Sequence, residues 1–443
     1  MSTERMQIAK PEVCTSYNPL VEELFSDQPE KLKILIAQES SVMSGPLNKL
    51  KHTVPIIAEE GHDLTVLLPR YNEEMVGPLP GAKIIETGSV PIEDFDLSVL
   101  YPAIIAKRLL RKGNYDIVHA ATPMRGPCGL AFLGGSVIDA AYDLKVPIVA
   151  GAQTFNRLTA QSIAPKVAKP LVDKFIRRQE CRMHNKANIN YSPSTAMDKY
   201  IQESNVSNGY LVRLKNGIDP IFNPERRLTK DAINQRASWG VKEDELVLLV
   251  PGRLAAEKSL DRLEAVDGIT GTKIVIVGDG AEKERLQKLL PNAVFTGRLE
   301  GEELANAYAN GDILVLTSDV ESYSQVLFEG MAAGLPVVTP NKGAFIELVK
   351  EDVTGHKYES ADEFRKAIIG LVNNPKQRKQ MGQRGRNSIK GRTWEEETRK
   401  LLMIYRTAIY LNKNQSKKRK LTKDDFASLG LEMSPQRTIK SAY

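Results

Sequence analysis

The sequence predicts an α/β protein built from two successive domains, each with a parallel β-sheet flanked by helices. Short apolar runs, such as the one from Ile34 to Ala37, alternate with longer segments that have helical spacing. A second series of the same kind begins near Leu246. Because a strand, a helix and the next strand form a right-handed crossover, this alternation indicates parallel sheets.

Length and composition narrow the class of protein. A chain of 443 residues is long enough for two domains with large cores. Cys14, Cys128 and Cys181 lack metal-ligand spacing, which predicts a reducing compartment and no disulfide framework. The first residues contain no long apolar core and no run approaches about 18 apolar residues, so we expect a cytoplasmic protein without a signal peptide or transmembrane segment. The net charge of +6 is compatible with anionic ligands or with peripheral contact on a membrane face.

The first domain is predicted to span residues 31–208, after an irregular leader over residues 1–30. We expect its strands at 34–37, 64–69, 82–86, 116–120, 146–151 and within 187–195, with helices near 47–57, 98–112 and 128–143. Gly45 follows the first strand at its carboxyl end, where open α/β sheets bind ligands, although a plain turn is the alternative. His119 ends a later strand and is either a cleft residue or a structural, hydrogen-bonded histidine.

One acid pair in this domain has the spacing of metal ligands. Asp94 and Asp96 precede a helix that we predict to start near Leu97, and capping of that helix is the preferred interpretation. No metal site is expected here.

A basic, mostly helical stretch over residues 156–187 has two interpretations. Apolar residues recur at helical spacing among many lysines and arginines, as at Ile163, Val167, Leu171 and Phe175. The stretch could rest on an anionic membrane surface or pack on its own domain with its charges solvated. The packed arrangement is preferred, because few aromatic residues are available to anchor the helix at an interface.

The second domain is predicted to span residues 209–392. Its first buried strand ends at Gly252 and Arg253, and Lys258 follows at the start of a helix. Glycine lets the backbone approach a ligand closely, and the two cations are suited to neutralise a diphosphate.

Residues 312–336 carry the most informative motif of the chain. A buried strand ends in a loop with Glu321, and a small-residue helix with Glu329 follows. The first amides of that helix, from Ser324 to Leu327, would favour an anion such as diphosphate. The two carboxylates could accept hydrogen bonds from sugar diols, or they could be ordinary surface acids.

The end of the chain is predicted to contain one long helix and a tail. The helix occupies residues 393–412, and the polar residues 413–443 are expected to be disordered. A basic cluster at 416–423 could be a nuclear signal or a lipid-surface contact, but a solvated tail is the preferred interpretation, so no nucleic-acid partner is expected.

Taken together, these motifs resemble retaining glycosyltransferases of family 4. The resemblance rests on Gly252-Arg253 with Glu257-Lys258, a strand ending in Gly278-Asp279-Gly280, Thr296-Gly297, Glu321 with Glu329, and Gly334-Leu335-Pro336. It implies the GT-B architecture, in which two Rossmann-like domains face each other across a cleft and the last helix crosses back to the first domain. Within the family, the segments at 116–123, 216–224 and 296–316 are most similar to the branch of sulfoquinovosyl diacylglycerol synthase and related glycolipid glycosyltransferases.

The resemblance also implies a reaction. A hexose-type sugar would move from a uridine- or guanosine-linked nucleotide-sugar, with a UDP-sugar preferred, to a glycolipid acceptor such as diacylglycerol. The departing phosphate would take the acceptor proton, so neither a dedicated base nor a metal or other cofactor is implied. Transfer to a soluble sugar or glycan and a weakly catalytic or non-catalytic nucleotide-sugar-binding protein are the two alternatives.

Site residues follow from the resemblance position by position. The implied catalytic residues are His119, Arg253, Lys258 and Glu321. The implied donor-binding residues are Gly45, Gly252, Arg253, Lys258, Arg298, Glu321, Ser324, Gln325, Val326 and Glu329. The implied acceptor side is formed by Gln153, Thr154 and Phe155. The sequence departs from the family pattern at Ser324, where glycine is usual, and at Gln153 and Phe155, where many members carry two histidines.

Overall fold

A computed structural model describes residues 19–38, 45–69, 79–87, 89–92, 95–98, 102–121, 133–153, 155–157, 166–206, 209–414 and 420–434. In the first domain the strands are β1 Lys33–Ala37, β2 Asp63–Pro69, β3 Ala82–Thr87, β4 Ser89–Ile92, β5 Phe95–Ser98, β6 Ile117–Ala120, β7 Ile148–Gly151, β8 Ile189–Ser192 and β9 Tyr210–Arg213. The helices there are α1 Pro19–Phe25, α2 Gly45–Glu59, α3 Pro102–Gly113, α4 Leu133–Asp143, α5 Lys169–His184 and α6 Thr195–Glu203.

Alternating side chains of the first sheet pack against two different helical layers. On β1, Ile34 and Ile36 face α1, α2 and the helix near the end of the chain, whereas Leu35 and Ala37 face α3, α4 and α5. The β1–β2, β1–β6, β6–β7 and β7–β8 pairs are all parallel. The predicted parallel sheet, covered on both faces, is therefore confirmed, as expected for strands that are buried on both sides.

The second domain is a six-stranded parallel sheet in the order β12-β11-β10-β13-β14-β15. Its strands are β10 Leu246–Pro251, β11 Thr272–Val277, β12 Val294–Gly297, β13 Ile313–Val315, β14 Val337–Pro340 and β15 Gly355–Tyr358. Its helices are α7 Lys230–Ser238, α8 Lys283–Leu289, α9 Gly301–Asn310, α10 Gln325–Ala332, α11 Phe345–Leu348, α12 Ala361–Asn373 and α13 Pro375–Ser388. Because β10 and β13 are neighbours, the loops after them lie side by side.

The long helix α14, Trp394–Lys413, returns to the first domain as predicted. Its apolar side, including Leu401, Tyr405 and Ile409, belongs to the same buried cluster as α2 and the inner strands. The first domain is therefore completed by residues that follow the second domain in sequence.

The structure corrects three predicted boundaries. The leader contains a helix, α1, with Leu20 and Leu24 buried. The strand β9 pairs in parallel with β8, so the residues just after 208 belong to the first domain.

The tail is ordered over residues 420–434, where α15 Lys423–Ser428 and β16 Glu432–Met433 occur and β16 pairs antiparallel with β9. Leu421, Phe426, Leu429 and Leu431 of that segment are buried, which explains its order despite its polar composition.

Two further expectations about the first domain are wrong. Residues 95–98 form β5 of a hairpin with β4, and the next helix begins at Pro102, so Asp96 does not cap a helix near Leu97. Asp94 lies outside the described residues. In the basic stretch, Ile176 is buried as the packed arrangement requires, but Val167 and Leu171 are exposed to solvent. Ile163 lies outside the described residues.

Across the part of the chain that the structure describes, no helix combines the length and apolar character needed to cross a bilayer.

Candidate active site

A cleft of about 280 Å³ lies between the two domains. Its first-domain wall is the start of α2, and its second-domain wall is formed by the loops after β10, β11 and β12 together with α9 and α10. The lining residues are Leu47, Asn48, Lys51, Pro251, Gly252, Arg253, Val277, Gly278, Asp279, Arg298, Leu299, Glu300, Leu304, Tyr308, Val326 and Glu329. The carboxyl ends of both sheets therefore face the same space, as the strand-end rule predicts.

Two glycines bring the loops after β10 and β11 into direct contact. A Cβ atom on Gly278 would lie 1.9 Å from the carbonyl oxygen of Gly252, and the φ angle of Gly278 is 152°. Only glycine tolerates both conditions, so no side chain stands between this backbone and the cleft. Arg253 follows at once and forms an ion pair with Glu257.

The loops after β10 and β13 are joined by a second ion pair. The Nζ atom of Lys258 lies 2.6 Å from Oε1 of Glu321. The hydroxyl of Thr317 donates to the carbonyl of Lys258 at 2.6 Å, and Arg262 donates to both carboxylate oxygens of Asp319 at 2.6 and 2.8 Å. The structure thus brings Lys258 and Glu321 together beside the cleft, although neither of them lines it.

The helix α10 begins at an unusual residue. Ser324 is its N-cap with a φ angle of 64°, in the left-handed region, and its side chain makes no capping hydrogen bond. The following residues have different positions: Val326 lines the cleft, whereas the Gln325 side chain donates to the carbonyl of Gly217 at 3.0 Å. The Gln325 side chain therefore ties the helix to the interdomain crossing, and the predicted donor contact of the amides from Ser324 to Leu327 stays a prediction.

Glu329 lies on the cleft-facing side of α10. The hydroxyl of Tyr308 donates to its Oε2 at 2.7 Å. Burial raises the pKa of the Glu329 carboxyl to about 7, and the hydrogen bond from Tyr308 opposes that shift. A desolvated carboxylate held by one donor has capacity to accept further hydrogen bonds from a diol.

The first-domain wall comes from the helix that Gly45 begins. Asn48 and Lys51 of α2 enter the cleft opposite Arg253 and Arg298. Sequence reasoning placed Gly45 at this edge but missed Asn48, Lys51 and Tyr308. Their positions on helices next to strand ends were the available signal, but the helix face they occupy depends on packing.

His119 does not reach the cleft, and its predicted sugar contact is wrong for this structure. Its ring is buried, with Nε2 2.9 Å from the Tyr191 hydroxyl and Nδ1 2.7 Å from the Tyr405 hydroxyl. Burial, with a smaller contribution from the charge of Lys49, lowers the pKa of His119 to about 3. The structural, hydrogen-bonded alternative describes this histidine.

The predicted acceptor side lies where the two domains touch. The Gln153 amide donates to the carbonyl of Ala121 at 2.9 Å and to the Tyr191 hydroxyl at 3.0 Å. Its backbone carbonyl accepts a hydrogen bond from the hydroxyl of Ser322 at 2.7 Å. Phe155 is buried against Tyr200, and Thr154 lies outside the described residues.

Comparison with known proteins identifies the family. One family model, described as glycosyl transferases group 1, matches residues 231–388, and another, described as glycosyltransferase family 4, matches residues 54–222. A GDP-mannose-dependent alpha-mannosyltransferase of Mycolicibacterium smegmatis is 31% identical over 376 residues, covering 82% of this chain and 94% of that protein. The chain belongs to glycosyltransferase family 4.

This family 4 glycosyltransferase has further similarities. The sulfoquinovosyl transferase SQD2 of Arabidopsis thaliana is 29% identical over 403 residues, covering 86% of this chain and 74% of that protein. The solved structure of HepE from Anabaena in complex with UDP-glucose has a TM-score of 0.66 at 16% identity, covering 85% of this chain and 100% of that one. The predicted fold, two Rossmann-like domains facing across a cleft, is confirmed.

Proposed function

We propose that the protein transfers a hexose-type sugar from a UDP-sugar to a glycolipid acceptor such as diacylglycerol, with retention of configuration. The observation that carries the donor half is the convergence of Lys51, Arg253 and Arg298 with the Glu329 carboxyl on one cleft between the domains. Cations from both domains suit a diphosphate, and a desolvated carboxylate suits a ribose diol.

The cations supply the main chemical requirement of the reaction. Departure of the nucleotide diphosphate places negative charge on its oxygens, and prearranged positive groups stabilise that charge more strongly than they stabilise the bound donor. Arg253 follows Gly252 in the loop after β10, and Lys258 lies five residues further on, in a single turn of 3₁₀ helix over Ala256–Lys258. Lys258 holds the leaving phosphate, and its present partner Glu321 accepts hydrogen bonds from the sugar hydroxyls.

The lipid acceptor has separate support. SQD2 is named as a sulfoquinovosyl transferase, and another relative, from Acholeplasma laidlawii, is named as an alpha-monoglucosyldiacylglycerol synthase. The exposed Val167 and Leu171 in the basic stretch suit a membrane-facing enzyme better than one that acts on a soluble acceptor.

The test is a transfer assay with defined donors and acceptors. The wild-type protein is offered UDP-glucose, UDP-sulfoquinovose and GDP-mannose, each with diacylglycerol in mixed micelles or with a soluble sugar acceptor. We expect a UDP-sugar and the lipid acceptor to give product by mass spectrometry. Product only with GDP-mannose or only with the soluble acceptor would replace the corresponding half of the proposal, and no turnover with any pair would favour a binding protein.

Two variants test the site assignment. Lys258→Ala and Glu321→Ala should each lower the transfer rate by about 100-fold, because each removes a charged group from the transition state. Lys342→Ala is the matched control, since Lys342 pairs with Asp319 of the same loop on the exposed side. Circular dichroism should show that all three variants are folded. Wild-type rates in both Lys258→Ala and Glu321→Ala would show that the site is elsewhere.

A further inference from the structure

The residues on either side of Glu321 contact the first domain, although their loop belongs to the second. The Ser322 hydroxyl donates to the backbone carbonyl of Gln153 at 2.7 Å. The Ser322 carbonyl in turn accepts a hydrogen bond from the hydroxyl of Ser194. Val320 packs against an apolar cluster formed by α6 and the segment after β7. The loop after β13 is therefore held by the first domain on both sides of its carboxylate.

The first-domain side of this contact is firmly anchored. Ser194 is the N-cap of α6, and its hydroxyl oxygen accepts a hydrogen bond from the amide of Met197 at 3.2 Å. The same helix is fixed to the sheet by a buried ion pair between Asp198 and Arg213 of β9. The Ser194 hydroxyl thus accepts within its own helix and donates to the second domain, which determines its orientation.

The second domain holds a different part of the same loop. The Glu321 carboxylate pairs with Lys258, and the Glu321 carbonyl accepts a hydrogen bond from the amide of Ala344 at 2.9 Å. The position of this residue therefore depends on both domains at once. A carboxylate that recognises sugar hydroxyls has to be placed to within about 0.5 Å, so the loss of either set of contacts would impair it.

We propose that Ser194 and Ser322 are positioning residues for Glu321, through which the first domain sets the place of this carboxylate against the transferred sugar. Neither serine lines the cleft, so their effect on the reaction passes through Glu321. The inference rests on the proposed function, in which Glu321 accepts hydrogen bonds from the sugar hydroxyls. The sugar is therefore recognised only while the two domains are in contact.

Hydrogen exchange measured by mass spectrometry tests the contact in the protein without donor or acceptor. In Ser194→Ala and in Ser322→Ala, the amides of residues 318–324 should exchange about three- to tenfold faster than in the wild type, because each variant loses one hydrogen bond to this loop. Ser194→Thr keeps the hydroxyl and should exchange like the wild type. Wild-type exchange in both alanine variants would overturn the proposal.

Ser360→Ala is the matched control for the loss of a helix cap. Ser360 is the N-cap of α12 in the second domain, and its hydroxyl oxygen accepts from the amide of Glu363 at 3.2 Å within its own helix. This variant should leave the exchange of residues 318–324 unchanged. Equally fast exchange of those residues in Ser360→Ala would trace the effect to a general loss of stability and would also overturn the proposal.

The affinities for UDP and for UDP-glucose, measured by isothermal titration calorimetry, test the positioning itself. Ser194→Ala and Ser322→Ala should each lower the affinity for UDP-glucose by about three- to tenfold and leave the affinity for UDP unchanged, because only the donor carries sugar hydroxyls. Ser194→Thr should bind both ligands like the wild type. An equal loss of affinity for UDP and UDP-glucose would indicate damage to the whole cleft and would reject the positioning role.

Glu321→Ala separates this inference from the proposed function. It should show the same selective loss for UDP-glucose, at least as large as in the serine variants. A selective loss in Glu321→Ala together with wild-type binding in both serine variants would reject the positioning role and leave the proposed function in place. If Glu321→Ala bound both ligands like the wild type, the sugar contact in the proposed function would be wrong, and the positioning role would fall with it.

Discussion

The surroundings of Glu329 would set the pH range over which the proposed donor site binds its ligand. Its carboxyl group lies in the cleft wall, and burial raises its pKa to about 7 while Tyr308 donates one hydrogen bond to it. A neutral carboxyl group would accept hydrogen bonds from a diol less strongly than a carboxylate does. Donor binding should therefore follow the ionisation of this residue.

The first prediction concerns the pH dependence of donor affinity. Between pH 6 and pH 8 the affinity for UDP-glucose should rise, because the carboxylate forms as pH increases through a pKa of about 7. The diphosphate diester of the donor does not titrate there, so the slope belongs to the protein. Isothermal titration calorimetry of Glu329→Gln should give a weaker, nearly pH-independent affinity. An unchanged slope in that variant would assign the titration to another group.

Ser324 gives a second prediction at this scale. A serine with a φ angle of 64° and no capping hydrogen bond is in the left-handed region, where a side chain costs roughly 1–2 kcal/mol. Ser324→Gly should raise the free energy of unfolding by up to about 1 kcal/mol, because the larger entropy of glycine in the unfolded chain offsets part of the gain. Ser324→Val should lower it. Urea unfolding measures both changes, and a destabilised glycine variant would contradict the account.

At the scale of elements, the segment from 420 to 434 protects an edge of the first sheet. Without β16, the backbone of β9 would be an exposed edge that can pair with other chains. The short helix α15 is held by a capping box at Thr422 and Asp425 and by Phe426, whose ring centroid lies 5.0 Å from that of Tyr210. The segment from 420 to 434, whose composition predicts a disordered polar tail, therefore contributes to the core of the first domain.

The corresponding prediction is a stability effect. Phe426→Ala should lower the free energy of unfolding by about 3–5 kcal/mol, because it removes a fully buried aromatic side chain. Lys423→Ala on the exposed side of the same helix is the control and should change it by less than about 0.5 kcal/mol. Chemical unfolding monitored by fluorescence compares the two. Equal stabilities would mean that the segment is peripheral to the first domain.

At the scale of the molecule, the loop after β13, which carries Glu321, is hydrogen-bonded to both segments in which the chain crosses between the domains. The Tyr323 hydroxyl accepts from the backbone amide of Asn216 at 3.2 Å and from Arg392 at 3.1 Å, and it donates to the carbonyl of Asn216 at 3.3 Å. Residue 216 lies where the chain first crosses, and Arg392 lies just before it returns through α14. The position of this loop is thus coupled to the relative position of the domains.

Tyr323→Phe should weaken that coupling. Loss of one hydroxyl leaves buried backbone groups without a partner, so the free energy of unfolding should fall by about 1–3 kcal/mol. The KM for the donor should rise severalfold, whereas kcat should change less, because Tyr323 positions the loop without lining the cleft. Tyr358→Phe removes a hydroxyl that donates to Leu316 within the second domain, and it should leave the KM unchanged. The same KM increase in both variants would reject the coupling.

Strand-end reasoning predicted that two side chains of the candidate site lie close together. Lys258 and Glu321 follow different strands, yet β10 and β13 are neighbours, so their side chains meet at 2.6 Å. The same reasoning failed for His119, because its environment is made by Tyr405 from a helix 286 positions further along the chain. Helix periodicity also predicted burial of Val167 and Leu171, but it cannot show which side of a helix its own domain covers.

The order of synthesis matters for the first domain, because α14 packs on that domain but is made after the second one. Near the end of α14, Tyr410 donates to Glu23 at 2.7 Å and Arg406 to the carbonyl of Glu30 at 2.8 Å, so late residues complete a domain that begins some 380 positions earlier. On the ribosome, the second domain is whole once α13 has emerged, whereas the first still lacks α14, which packs beside α1 and α2 in one of its two helical layers. The nascent first domain therefore presents uncovered apolar surface during translation of the entire second domain, and chaperone binding should concentrate there.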